Sequence, residues 1–186
     1  MTTDEQVVQN TQAWLERAVI GLNLCPFAKS VHVKGQVHYA VSHASDPAGL
    51  LEDLIFELNE LVGLDAKVRD TTLLVAPDCL QDFLDFNDFL ARADRALVKL
   101  GLDGVLQIAS LHPHYQFAGT EEDDITNFTN RSPYPTLHLL REDSIDRAVA
   151  AFPNPESIFE VNMQTMERLG VEGWAALKVG RTPQDR

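Results

Sequence analysis

The run Thr71-Thr72-Leu73-Leu74-Val75-Ala76 is apolar on both of the faces that alternate along an extended chain. A strand of that kind belongs in the middle of a sheet, with other elements covering each side. Pro77-Asp78 breaks it. Residues 4–22 place Val8, Leu15, Ala18, Val19 and Leu22 at helical spacing, and residues 36–43 alternate, with Val37, Tyr39 and Val41 on one side. Asp46-Pro47 opens an apolar stripe from Leu50 to Val62 that Gly63 closes. Residues 80–100 predict a long helix ending at Gly101, Val105 to Leu111 a third strand, and Thr136 to Arg141 a fourth. Asp143 is positioned to cap a short helix through Phe152, and Asn154-Pro155 starts another that ends at Leu169-Gly170.

Strands separated by helices favour parallel neighbours and layered packing. The prediction is one α/β domain over residues 1–179, followed by a disordered tail at 180–186. It is a sandwich whose mixed sheet of about four strands carries helices packed on it. The order of elements from the first strand onward is compatible with a thioredoxin-like topology. That fold's chemistry is missing, since no Cys-x-x-Cys occurs and the turn His43-Ala44-Ser45-Asp46 has no cysteine.

A chain of 186 residues buries roughly 70% of its unfolded surface and holds a core without staples. Two cysteines make no disulfide framework, and the acidic, polar start MTTDEQVVQN is unlike a secretory signal or transit peptide. No apolar run approaches the ~18 residues of a membrane span. A net charge of −13 repels phosphate backbones. The expectation is a soluble cytoplasmic protein that binds neither nucleic acid nor membrane.

The segment from Leu111 to Glu142 has no periodic apolar pattern between two strands, and loops of such length in compact domains are lids, binding loops or disordered inserts. Tyr115, Phe117, Phe128 and Tyr134 anchor it, which predicts an ordered loop with these four rings largely buried. The fragments WLERAVIGLNLCPFAKSV (Trp14 to Val31), SLHPHYQFAGT (Ser110 to Thr120) and TNRSPYPTLHLLRE (Thr129 to Glu142) resemble a bacterial family catalogued as a domain of unknown function, DUF1415. The resemblance covers nearly the whole chain. It implies a single-domain soluble protein and carries over no catalytic role.

Candidate chemistry concentrates in few residues. Cys25 precedes Pro26 just past the first helix, with Lys29 nearby, an arrangement that favours a thiolate nucleophile or soft metal ligand; the alternative is a space-filling thiol beside Phe27. Cys79 is a weaker candidate of the same kind. In His112-Pro113-His114 an extended backbone would turn both imidazoles to one side, as a divalent-metal pair or as a base with its orienter. His138 and the carboxylates Glu121, Glu122, Asp123 and Asp124 are further ligand candidates, though such a run is usually a solvated loop face. Asn127, Asn130, Arg131, Tyr134, Arg141 and Lys29 are the candidate substrate contacts. Arg131 either clamps an anion or pairs with the acidic run just before it. Asn162, an amide within a helix, is expected to reach a buried partner or the pocket. Two functions follow from these residues. One is an enzyme acting on a small anionic polar substrate, with Cys25 as nucleophile or ligand, His112, His114 or His138 as acid or base, and Arg131 as clamp. The other is a non-catalytic protein that binds a ligand or partner through the aromatic loop 111–135.

Overall fold

The computed structural model describes residues 3–152 and 154–181. Helix α1 (Asp4–Trp14) runs on through a π-helical segment, Leu15–Ile20, and is followed by the short α2 (Ala28–Val33). Then come β1 (Val37–Val41), α3 (Pro47–Gly63), β2 (Thr71–Val75), α4 (Phe83–Lys99) and β3 (Leu106–Leu111). A 3-10 helix, Ile125–Asn130, sits in the loop before β4 (Thr136–Arg141), and α5 (Glu142–Ala150) and α6 (Ile158–Leu177) follow. The strands lie in the order β1-β2-β4-β3. β1 and β2 are parallel, whereas β4 is antiparallel to both its neighbours. The sheet is therefore mixed, as predicted. The carboxyl ends of β1, β2 and β3 gather at one edge together with the amino end of β4.

β2 is buried along its whole length. On one side Leu74, with Leu137 and Leu139 of β4 and Leu106 of β3, meets Leu50, Leu54 and Leu58 of α3 and Phe86, Phe89 and Ala93 of α4. On the other side Leu73 and Val75 meet Val7 and Trp14 of α1, Leu15 and Ala18 of the π-helical segment, and Tyr134. The two covering helices start where aspartates with extended backbones cap them. Asp46 accepts from the N–H groups of Ala48 and Gly49 at 2.8 and 2.9 Å, and Asp82 from those of Leu84 and Asp85 at 2.8 and 3.1 Å.

The chain departs from the sequence pattern near its end. α6 does not stop at Gly170. That glycine takes φ 63° and ψ 176°, kinking the helix, and helical backbone resumes as far as Leu177. Only glycine adopts this conformation readily, and it breaks the helical hydrogen-bond run. The helix resumes because Trp174, Leu177 and, just beyond, Val179 pack on the α1 side of the core. Gly180 and Arg181, assigned to a disordered tail, are placed, and Arg181 donates to the Pro133 carbonyl at 2.9 Å. Residues 182–186 lie outside the described residues. α5 begins at Glu142 without a side-chain cap, so Asp143 does not serve as one.

Arg141, a candidate substrate contact, ends β4 and fastens the far end of α3. Its Nη2 donates to the carbonyls of Leu61, Leu64 and Arg69 at 2.6, 2.7 and 2.9 Å. These are charge-assisted bonds to carbonyls at the end of α3 and in the connection that follows it, of which that of Leu61 also accepts from the Leu64 N–H. Arg141→Ala is expected to lower stability by on the order of 3 kcal/mol in urea denaturation, with Arg141→Lys recovering part of the loss.

Candidate functional site

β3 and β4 are antiparallel neighbours with Leu111 opposite Thr136, yet residues 112–135 lie between them. A hairpin needs only about two connecting residues. The long connection starts at His112, which is 0% exposed and sits against the rings of Phe83 and Phe86, with centroids 5.4 and 5.0 Å away. Its Nε2–H donates to the Leu80 carbonyl at 3.1 Å and its Nδ1 accepts from the His114 N–H at 3.0 Å. Both ring nitrogens are thus committed, and the ring is neutral. Burial pushes its pKa from 6.5 down to about 4. The backbone is not extended through Pro113, because the Tyr115 N–H returns to the His112 carbonyl at 3.1 Å and closes a turn. That turn leaves His112 inside and His114 exposed. His112 keeps no lone pair for a metal shared with His114. Among the described residues, no group of three or more His, Cys, Asp or Glu side chains is placed to hold a metal ion.

Asn127 staples the loop from within. It is 0% exposed, its Oδ1 accepts from the Phe117 N–H at 2.9 Å and the Thr120 hydroxyl at 2.8 Å, and its Nδ2 donates to the Glu121 carbonyl at 2.8 Å. Asp124, last of the acidic run, caps the 3-10 helix through the Thr126 N–H at 2.9 Å, and these bonds hold its carboxyl below the usual range. Of the four aromatic anchors only Tyr134 is fully buried, its hydroxyl accepting from Asn10 Nδ2 at 2.8 Å. Tyr115, Phe117 and Phe128 are half-buried because they lie over other elements' surfaces rather than in the core. Tyr115 meets Phe83 of α4 at 5.2 Å, Phe117 meets Phe159 of α6 at 5.9 Å, and Phe128 meets Trp174 at 5.3 Å.

Between this loop and the end of α6 lies a cleft of about 520 Å³, lined among others by Gln81, His114, Phe128, Arg131, Trp174 and Arg181. Arg131 stacks on Phe128, with Cζ 4.1 Å from the ring centre. Its Nε donates to the Tyr115 carbonyl at 3.2 Å and its Nη2 to the Glu122 carbonyl at 2.6 Å. The contact with the acidic run is therefore through the backbone; among the described residues Arg131 forms no ion pair with a carboxylate. Burial draws its pKa below the usual guanidinium value, against the opposing charge of Glu122. Arg181 is held in the same manner. It stacks on Tyr134 at 4.7 Å, its Nε donates to the Pro133 carbonyl at 2.9 Å, and its Nη2 donates to Gln81 Oε1 at 2.6 Å. The sequence reading missed Arg181 and Trp174, because Gly170 reads as a stop and the polar residues after Val179 read as a tail.

The other nominated residues lie elsewhere. Cys25 is half-buried before α2, in a segment held by Asn162, whose Nδ2 donates to the Leu24 carbonyl at 2.8 Å, and by Phe27 against Phe152 at 6.0 Å. It does not line the cleft, and Lys29 is exposed on α2. Cys79 is buried, and burial and the charge of Asp46 push its thiol pKa up. His138 sits on the sheet with Nε2 2.7 Å from the Thr71 hydroxyl, which itself donates to the Leu139 carbonyl at 2.7 Å. The imidazole must then be the donor, and burial lowers its pKa to about 4. Asn130 contributes its carbonyl to the His112 N–H at 3.2 Å.

His112 and His138 make stability depend on pH. Both have folded pKa values of about 4 against 6.5 when unperturbed, so the unfolded chain binds protons first as pH falls. Their contribution is full above about pH 6.5 and declines between 6.5 and 4, by about 1.4 kcal/mol per pH unit for each group. His112→Gln and His138→Gln are each expected to be less stable at neutral pH but to flatten this slope, as measured by urea denaturation across the range.

Comparison with known proteins gives one result. The family model for "Protein of unknown function (DUF1415)" matches residues 6–176. No curated protein and no solved structure matches the chain.

Proposed function

The chain belongs to the DUF1415 family, and from the cleft it carries we propose that this protein binds a small polar anion, a carboxylate or a phosphate, between loop 112–135 and the end of α6. The observation that carries this reading is the pair Arg131 and Arg181. Two half-buried guanidiniums line one cleft in a chain of net charge −13, and among the described residues neither pairs with a carboxylate. A cation withdrawn from water without a counter-charge favours an anion at its open side. The cleft volume of about 520 Å³ lies within the range of small-molecule sites. Phe128 and Trp174 supply apolar wall, and the cleft opens at the edge where the parallel strands end, where ligands of α/β sheets collect.

Catalysis is the secondary part of this reading. Of the residues nominated for acid–base work, His114 is the one at the cleft, so proton transfer to or from a bound anion falls to it. Cys25, outside the cleft, takes no part. The same reading keeps the protein in the cytoplasm and away from nucleic acid, whose phosphates its charge repels. No described helix is long and apolar enough to cross a membrane.

Isothermal titration with inorganic phosphate and with butyrate tests the site. Binding is expected to weaken with ionic strength and to fall about tenfold in Arg131→Ala or Arg181→Ala. An anion that binds equally well to both variants, or no binding of either probe, would overturn the reading.

A further inference from the structure

We infer that a second copy of this chain docks on the outer face of α4, with the two α4 helices antiparallel across a two-fold axis. The inner face of α4 is spent on the core through Phe86, Phe89 and Ala93. Its outer face carries Leu84, Ala91 and Val98, seven residues apart and so on one line along the helix. Leu84 is 71% exposed and Val98 61%, and Ala91 is exposed with them. Apolar residues repeating at this interval form the seam by which one helix meets another. Beside the seam, on the side of α3, Arg95 and Lys99 line a groove of about 320 Å³ together with Leu51 and Ile55. Asp85 and Asp88 extend the same stripe toward the amino end of α4, by steps of three and four residues through Arg92.

The order of charges along this stripe identifies the occupant. Asp85 and Asp88 lie in the amino half of α4, Arg95 and Lys99 in its carboxyl half. All four are exposed, and among the described residues none of them is in an ion pair. A parallel copy would set acid on acid and base on base. An antiparallel copy sets Asp88 against Arg95 and Asp85 against Lys99, each pair made twice by symmetry. The same arrangement lays Leu84 on Val98. The midpoints of these three pairs fall between Ala91 and Arg92, at Arg92 and at Ala91. That is a spread of one residue, about 1.5 Å along the helix. One two-fold axis therefore serves the seam and the charges together, and the small Ala91 lies where the axis passes. A two-fold contact between identical chains demands such self-complementarity, whereas a foreign partner does not. The net charge of −13 opposes self-association through most faces, but on this one each acid meets a cation.

The test is analytical ultracentrifugation of the full chain at one ionic strength, from micromolar to near-millimolar concentration. A monomer–dimer equilibrium is expected. Arg95→Asp sets acid against Asp88 and should raise the dissociation constant at least about tenfold, as should Val98→Lys, which puts a charge in the seam. Combining Asp88→Arg with Arg95→Asp restores opposite pairs at unchanged net charge. That double swap should return the dissociation constant to within about threefold of the unaltered chain. Lys34→Asp, at an exposed position of the α2 end, makes the same change of net charge as Arg95→Asp and should leave association within about threefold. The substituted positions are exposed, and a thermal melt checks that each variant is folded. A chain that stays monomeric at every concentration would overturn the inference. So would a dimer indifferent to Arg95→Asp and Val98→Lys, which would use another face. Loss of the dimer in Arg95→Asp without recovery in the double swap would overturn the antiparallel pairing on which the inference stands.

Discussion

Burial of β2 on both faces is the constraint on which the rest of the structure depends. A strand with Leu73 and Val75 on one side and Leu74 on the other needs two covering layers, and it obtains them from α1 with its π-helical continuation and from α3 with α4. Neither face of the sheet is then left for a ligand. What remains is the edge where the parallel strands end, and the chain has its longest irregular connection there. Fold and site are linked by exclusion: the core occupies the faces, so binding chemistry is confined to the rim.

At that rim the connection between β3 and β4 far exceeds what pairing Leu111 with Thr136 demands. Polar groups that look like chemistry in the sequence maintain the excess length instead. Asn127 closes three hydrogen bonds inside the loop, and His112 bridges the Leu80 carbonyl to the His114 N–H at its root. A buried polar group must find partners, and once it has them it has no valence left for a ligand. The residues free to act are those that the same network pushes outward, His114 and the open edges of the arginines.

The strong local signals were the legible ones. The doubly apolar β2, the Asp46-Pro47 start of α3 and the β4 boundaries all follow from patterns that need no tertiary partner to interpret. The aromatic loop was legible as ordered, and Arg131, read as an anion clamp, lines the cleft beside it. Gly170 shows where that kind of reasoning fails. Its positive φ is a genuine local break, and the helix beyond it exists only because Trp174 and Leu177 have α1 to pack against, a contact absent from the sequence pattern. Losing that segment also lost Arg181, which carries no motif and gains meaning only from the carbonyl of Pro133 and the ring of Tyr134. His-Pro-His misled for a related reason: the two rings do lie near each other, 5.9 Å apart, but the turn closed by the Tyr115 N–H buries His112 with both ring nitrogens bonded and leaves His114 exposed.

The acidic loop explains how the proposed anion site would persist on a chain with 28 acidic residues against 15 basic ones. Direct pairing of Arg131 with the run Glu121 to Asp124 would have cancelled the charge of the site. The loop turns those residues to other uses: Asp124 caps the 3-10 helix with its carboxylate, and Glu122 meets Arg131 with its carbonyl, its own side chain being exposed. A solvated carboxylate attracts a nearby cation weakly, since water and salt screen it. The carbonyl instead fixes the geometry of the guanidinium and leaves its net charge intact. A rigid cation with exposed, screened acids around it can still attract an anion into the cleft, where water is scarcer and the screening is less.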